Sequence, residues 1–218
     1  MVREQFHYDL HTLQSKVVEL GELSKEALKN ALEGLRSKSV EKALAVIEND
    51  YRADNLEEEI NDLALMLITK QQPVAIDLRR IFVSIKIATD LERISDHAVN
   101  IAKATIRLGE KPVSVTLDHL EEMYKIMNDM LILSIKAYQE ENLTYAKQIA
   151  EMDDSVDELY GKAVREFMSS IPNQPDDISQ ITQMSFIARY IERAADHLTN
   201  IAENVFYLVK GKHYLLNE

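Results

Sequence analysis

The chain has 218 residues, of which 37 are acidic and 25 basic, for a formal net charge of -12. That balance argues against a global nucleic-acid footprint, and the absence of cysteine rules out disulfides and thiolate metal sites. Hydrophobic residues make up 46% of the chain, enough for a proper core, while five Gly and four Pro leave few turn signals and favour long helices.

The N-terminal MVREQFHYDLH has no apolar core of the kind a secretory signal needs, so none is expected. The first helix is predicted over residues 4–36, ending near Gly34. Ser39 is a fitting N-cap for the second, which reaches about Lys70 before a turn at Gln71-Gln72-Pro73. Within it, LALMLI is far too short to span a bilayer, so no direct membrane insertion is expected. A third helix covers residues 74–108 and stops at Gly109, with Pro112 just beyond. The scheme then repeats: Asp118 to about Glu140, Asn142 to about Ser169, and, after Ile171-Pro-Asn-Gln-Pro175, Asp176 to Lys210 with Gly211 as its stop. Short connections between long helices mean antiparallel neighbours.

The repetition is internal homology. Between residues 87–102 and 187–202, nine of sixteen positions are identical at an offset of one hundred. Ordinary residue frequencies would supply on the order of one match. The preceding helices align at an offset of 103, ENDYRAD over EMDDSVD, so Asp50 and Asp54 correspond to Asp153 and Asp157. The expected fold is all-α, two tandem, pseudo-symmetric three-helix bundles of six long helices, at residues 1–111 and 112–218.

Two stripes run along each duplicated segment. Ile87, Leu91, Ile94, Ala98 and Ile101 step by four and three, as do Ile187, Ile191, Ala194, Leu198 and Ile201. These are bundle seams. About 100° round from Leu91, Glu92, Asp96 and Asn100 form a polar ladder, repeated by Glu192, Asp196 and Asn200. Carboxylates one turn apart repel, the more so beside a buried seam. Arg93 and Arg193, three residues before Asp96 and Asp196, offer the plain remedy of i, i+3 ion pairs.

A second acidic ladder changes the balance. Folding the second helix back about residues 71–73 places Asp50 level with Arg93 and Asp54 level with Thr89, within one turn of Glu92 and Asp96. Asp153 and Asp157 approach Glu192 and Asp196 likewise. Four carboxylates with a nearby amide make an oxygen-rich site suited to Mg²⁺, Ca²⁺, Mn²⁺ or iron, and less distinctively to Zn²⁺. His97 and His197 lie a further 100° round and read as structural. No Gly-rich phosphate loop, nucleophile elbow or EF-hand spacing occurs, and the lone Glu4…His7 has no twin to build a di-metal oxidase.

The doubled Glu-Arg-x-x-Asp-His-x-x-Asn-Ile-Ala motif, within LERISDHAVNIAK and IERAADHLTNIAE, resembles that of the PhoU family of phosphate-transport regulators, and the resemblance covers essentially the whole chain. It implies a cytoplasmic, non-enzymatic negative regulator of the phosphate-starvation response. Such a protein would link the phosphate ABC transporter to a two-component sensor kinase, as a homodimer, with iron or zinc clusters at the acidic motifs. A carboxylate-bridged metalloenzyme of redox or hydrolytic type is the alternative on the same residues. Ser95 stands where the family's first motif more often has Gly. The segment Asp77-Leu-Arg79 is unduplicated, since NQPDDISQIT replaces QQPVAIDLRR in the second repeat.

Overall fold

The polar residues expected to start helices do so by capping them. In the computed structural model, which describes residues 2–109, 115–171 and 175–216, the Ser39 hydroxyl accepts from the Lys42 N–H at 3.2 Å. The Asn142 side chain accepts from the N–H groups of Thr144 and Tyr145 at 2.9 and 3.3 Å. Each cap satisfies amides that the first helical turn leaves without partners. The helices are α1 (Val2–Ser37), α2 (Val40–Asn49), α3 (Tyr51–Gln71), α4 (Ala75–Leu108), α5 (Asp118–Gln139), α6 (Leu143–Ser170) and α7 (Ile178–Lys210), with a 3-10 turn at Pro175–Asp177 before α7. No strand occurs among the described residues. The expected division at 111/112 lies outside the described residues.

The second predicted helix is interrupted once, at Asp50, to give α2 and α3. Asp50 keeps right-handed dihedrals (φ -59°, ψ -36°), but its carbonyl accepts from both Ala53 (2.8 Å) and Asp54 (3.3 Å), a local tightening towards 3-10 geometry. At the same point the Ser95 hydroxyl of α4 donates to Asp50 Oδ1 at 3.1 Å. The second repeat has Ala195 there, and α6 runs through Asp153 unbroken.

In the first bundle α4 packs on α1, α2 and α3; in the second α5, α6 and α7 pack on one another. The most extensive contact of all joins the two, α4 against α7, and α1 also touches α5. All ten seam residues read from the repeat are buried. At full burial each Leu or Ile contributes about 1.5–3 kcal/mol. Gly21 lets α1 approach α5 closely: a Cβ there would lie 2.5 Å from Ile135 Cδ1. The bundles therefore share a core, and one cooperative transition is expected. Leu91→Ala and Ile191→Ala should each lower stability by about 2–5 kcal/mol while leaving a single urea transition in far-UV circular dichroism. Loss of only half the helical signal in the first step would show that the bundles unfold separately.

Candidate metal centres on the paired helices

Glu92 and Glu192 follow seam residues directly, so neither reaches fully into water. In the first bundle the Glu92 side chain is about four-fifths covered, and its pKa is pushed up to about 7. Burial is the leading cause, followed by the charge of Asp96; Arg93 opposes, and Asp54 and Glu57 add to the rise. Asp54 and Asp50 are also raised, each chiefly by burial, and both feel Asp96. The four predicted acids of α2–α3 and α4 thus lie within one another's fields. Three are partly occupied by neighbours. Arg93 donates to Asp96 Oδ2 at 2.8 Å and stands 3.5 Å from Glu92, while Asp50 holds the Ser95 hydroxyl.

The second bundle repeats the grouping with deeper burial. Asp153 and Glu192 are 2% and 7% exposed, and the Glu192 pKa is likewise pushed to about 7, by burial first and then by Asp196, with Asp157 and Asp153 contributing. Asp157 and Asp196 are raised mainly by burial. Here the expected Arg193 pair with Asp196 does not form. Arg189, one turn earlier, pairs instead with Glu192 Oε1. The other oxygen, Oε2, is buried with no hydrogen-bond partner, a condition that costs roughly 1–3 kcal/mol or more for a charged group.

The helix register differs from the expectation by two to three residues. Thr89 donates to Glu57 at 3.0 Å rather than lying beside Asp54, because α3 continues through Gln71 and the reversal is centred nearer Pro73. Glu57 therefore joins the first acidic set. The amides and histidines go elsewhere. His197 Nδ1 lies 3.0 Å from Asp90 Oδ1, which also accepts from the Asn200 amide at 3.4 Å, so both residues serve the contact between the bundles. Their counterpart His97 is 8% exposed, with its ring 5.6 Å from that of His197 and stacked on Tyr190. Neither His97 nitrogen has a hydrogen-bond partner, and its pKa is lowered to about 4, first by burial and then by His197. Asn100 is half-buried and makes no hydrogen bond among the described residues.

The donor chemistry fits a hard cation. Of the eight predicted carboxyl groups, four per bundle, six have raised pKa values, and one buried oxygen of Glu192 has no partner. As placed, however, no three His, Asp or Glu side chains among the described residues converge closely enough to hold one ion. Binding would draw Asp96 from Arg93 and bring the free oxygens of Asp50 and Glu192 closer to their neighbours.

Raised carboxyl pKa values have a definite sign. The folded chain keeps the Glu192 proton up to about pH 7, whereas the unfolded chain loses it near 4.5. Between those values the folded state binds more protons, so stability falls as pH rises through the window and levels off above it. In chelator-treated protein, Glu192→Gln should raise stability by about 1–2 kcal/mol at pH 8 and flatten the decline between pH 4.5 and 7. Identical profiles for the two proteins, by denaturant titration, would contradict the assignment.

The PhoU domain model matches twice, at residues 17–105 and 120–205, once in each bundle. The phosphate-specific transport system accessory protein PhoU homolog of Clostridium acetobutylicum is 37% identical over 220 residues, covering the whole of both chains. That of Aquifex aeolicus is 37% identical over 96% of each. The crystal structure of PhoU from Pseudomonas aeruginosa superposes with a TM-score of 0.91 at 29% identity, covering 95% of this chain and all of that one. The phosphate transport system regulatory protein PhoU from Streptococcus pneumoniae gives 0.90 at 30% identity, over 96% and 99% of the two chains. With two PhoU domains in tandem and relatives aligned end to end, the chain belongs to the PhoU family.

Proposed function

We propose that this protein regulates phosphate uptake through protein contacts rather than by catalysis, and holds cations at its two acidic sets. The observation that carries the reading is end-to-end similarity to accessory proteins of phosphate-specific transport systems. In this reading the protein is a cytoplasmic homodimer. It couples the phosphate ABC transporter to a two-component sensor kinase and keeps the starvation response off when phosphate is plentiful. No helix among the described residues is long and apolar enough to cross a membrane, so the reading routes membrane association through the transporter.

Asp50, Asp54, Glu92 and Asp96 would hold the cation in the first bundle, and Asp153, Asp157, Glu192 and Asp196 in the second. A bound cation supplies positive charge between helices whose acids otherwise repel. Oxygen donors suit Mg²⁺ or Ca²⁺ as well as the iron or zinc suggested by the family resemblance. Ser95 orients Asp50 by its hydrogen bond, while Arg93 competes for Asp96. Arg189 fixes one oxygen of Glu192 and leaves the other directed inward.

The test is genetic. In phosphate-rich medium, deleting the gene should switch on a phosphate-starvation reporter, and the wild-type chain should restore repression. An Asp96→Asn/Asp196→Asn chain, present at the same level, should restore it incompletely. A reporter that ignores the deletion would refute the regulatory reading.

A further inference from the structure

The first turns of α4 leave an apolar stripe in water. Leu78 and Phe82 stand four residues apart on one face of α4 and are 40% and 42% exposed, and Val74, the extended residue just before the helix, is 76% exposed. The stripe continues onto the end of α7. The Phe82 ring meets Tyr207 edge-on at 6.2 Å, and Tyr207 stacks flat on His213 at 4.2 Å.

Cations surround this stripe. Lys86 Nζ lies 5.4 Å from the Phe82 ring centroid. The Arg79 guanidinium lies directly over Gly211, where φ is +68° and a Cβ would collide with it. Lys210 and Lys212 flank that glycine. Among the described residues none of these four cations makes an ion pair, although the chain as a whole carries a charge of -12. Their neighbour Arg80, by contrast, is bound to Asp77 at 3.2 Å and Glu141 at 2.7 Å. The second repeat keeps only part of this face. At the corresponding places Ile178 matches Leu78 and is 47% exposed, but Ser179 replaces Arg79 and Thr182 replaces Phe82.

We propose that this face, centred on Leu78 and Phe82, docks an acidic segment of a partner protein whose apolar side chains cover the stripe while its carboxylates meet the four cations. Charge complementarity carries the choice of occupant. A chain of net negative charge repels an acidic partner everywhere except at such a patch, which orients the encounter. Resting on the function proposed above, the partner is a component of the phosphate transport system, and only the first repeat engages it through this face.

Binding of the full chain to the organism's purified phosphate transport complex, in phosphatidylcholine nanodiscs, tests this directly. Leu78→Asp/Phe82→Asp alters two exposed residues and Arg79→Glu/Lys86→Glu one half-buried and one exposed residue, and circular dichroism confirms folding of both. Each should weaken binding about tenfold or more, and added salt should weaken the wild type but not the charge-reversed variant. Wild-type binding that both variants retain would overturn the docking face and leave the regulatory role intact. No wild-type binding would overturn both. If the variants lose binding only to phosphatidylglycerol vesicles, or lose only self-association in sedimentation, the face serves a lipid surface or a second copy and the proposal fails.

Discussion

The constraint on which the rest of this structure turns is the placement of a glutamate one residue after a buried seam position. Leu91 and Ile191 are core residues of the helices that join the two bundles, so Glu92 and Glu192 are held where water only partly reaches them. A carboxylate in that position loses hydration, and three further acids arrive from the same helix and its neighbour. The seam contributes far more to stability than the acids remove, because each bundle buries a continuous apolar stripe. The chain thus tolerates two locally unfavourable charge sets, and both glutamates have pKa values near neutrality.

The two repeats meet the same electrostatic problem by different means. In the first, Arg93 spans Glu92 and Asp96, and Ser95 ties Asp50 to α4 where the helix is interrupted. In the second, α6 is continuous, Asp153 is buried, and Arg189 engages only one oxygen of Glu192. Sequence identity along the motif therefore does not make the sites equivalent. The same holds at the pseudo-symmetric contact between bundles: His197 has Asp90 as its partner, while His97 faces Tyr190, the residue at the matching position.

Much of this was legible in the residues themselves. Ser39, Asn142, Gly109 and Gly211 mark helix ends through the chemistry of capping and left-handed backbone, and each ends or begins a helix in the structure. The repeat named the seams and grouped the eight acids. What escaped needed information that intrahelical spacing does not hold. The break at Asp50 involves no Gly or Pro and keeps right-handed dihedrals, so it has no local signature. The place of Glu57 depends on where the chain reverses, and a shift of two or three residues moves a side chain most of a turn. Arg189 precedes Glu192 by the same three residues that separate Arg193 from Asp196, so spacing alone does not choose between the two pairs. Asn200 and His197 turn to Asp90 because the bundles dock through α4 and α7, a contact between repeats that periodicity within one helix cannot reveal.

In the proposed function, mutual repulsion within the two acidic sets would be relieved by a bound cation. Thermal unfolding at pH 8, of chelator-treated protein purified without a histidine tag and titrated with divalent cations, tests it most directly. Cation should raise the wild-type Tm to a plateau, whereas the Asp96→Asn/Asp196→Asn protein, already relieved of two charges, should gain little. Equal shifts in the two proteins, or no shift in the wild type with any of Mg²⁺, Ca²⁺, Mn²⁺, Fe²⁺ or Zn²⁺, would contradict it.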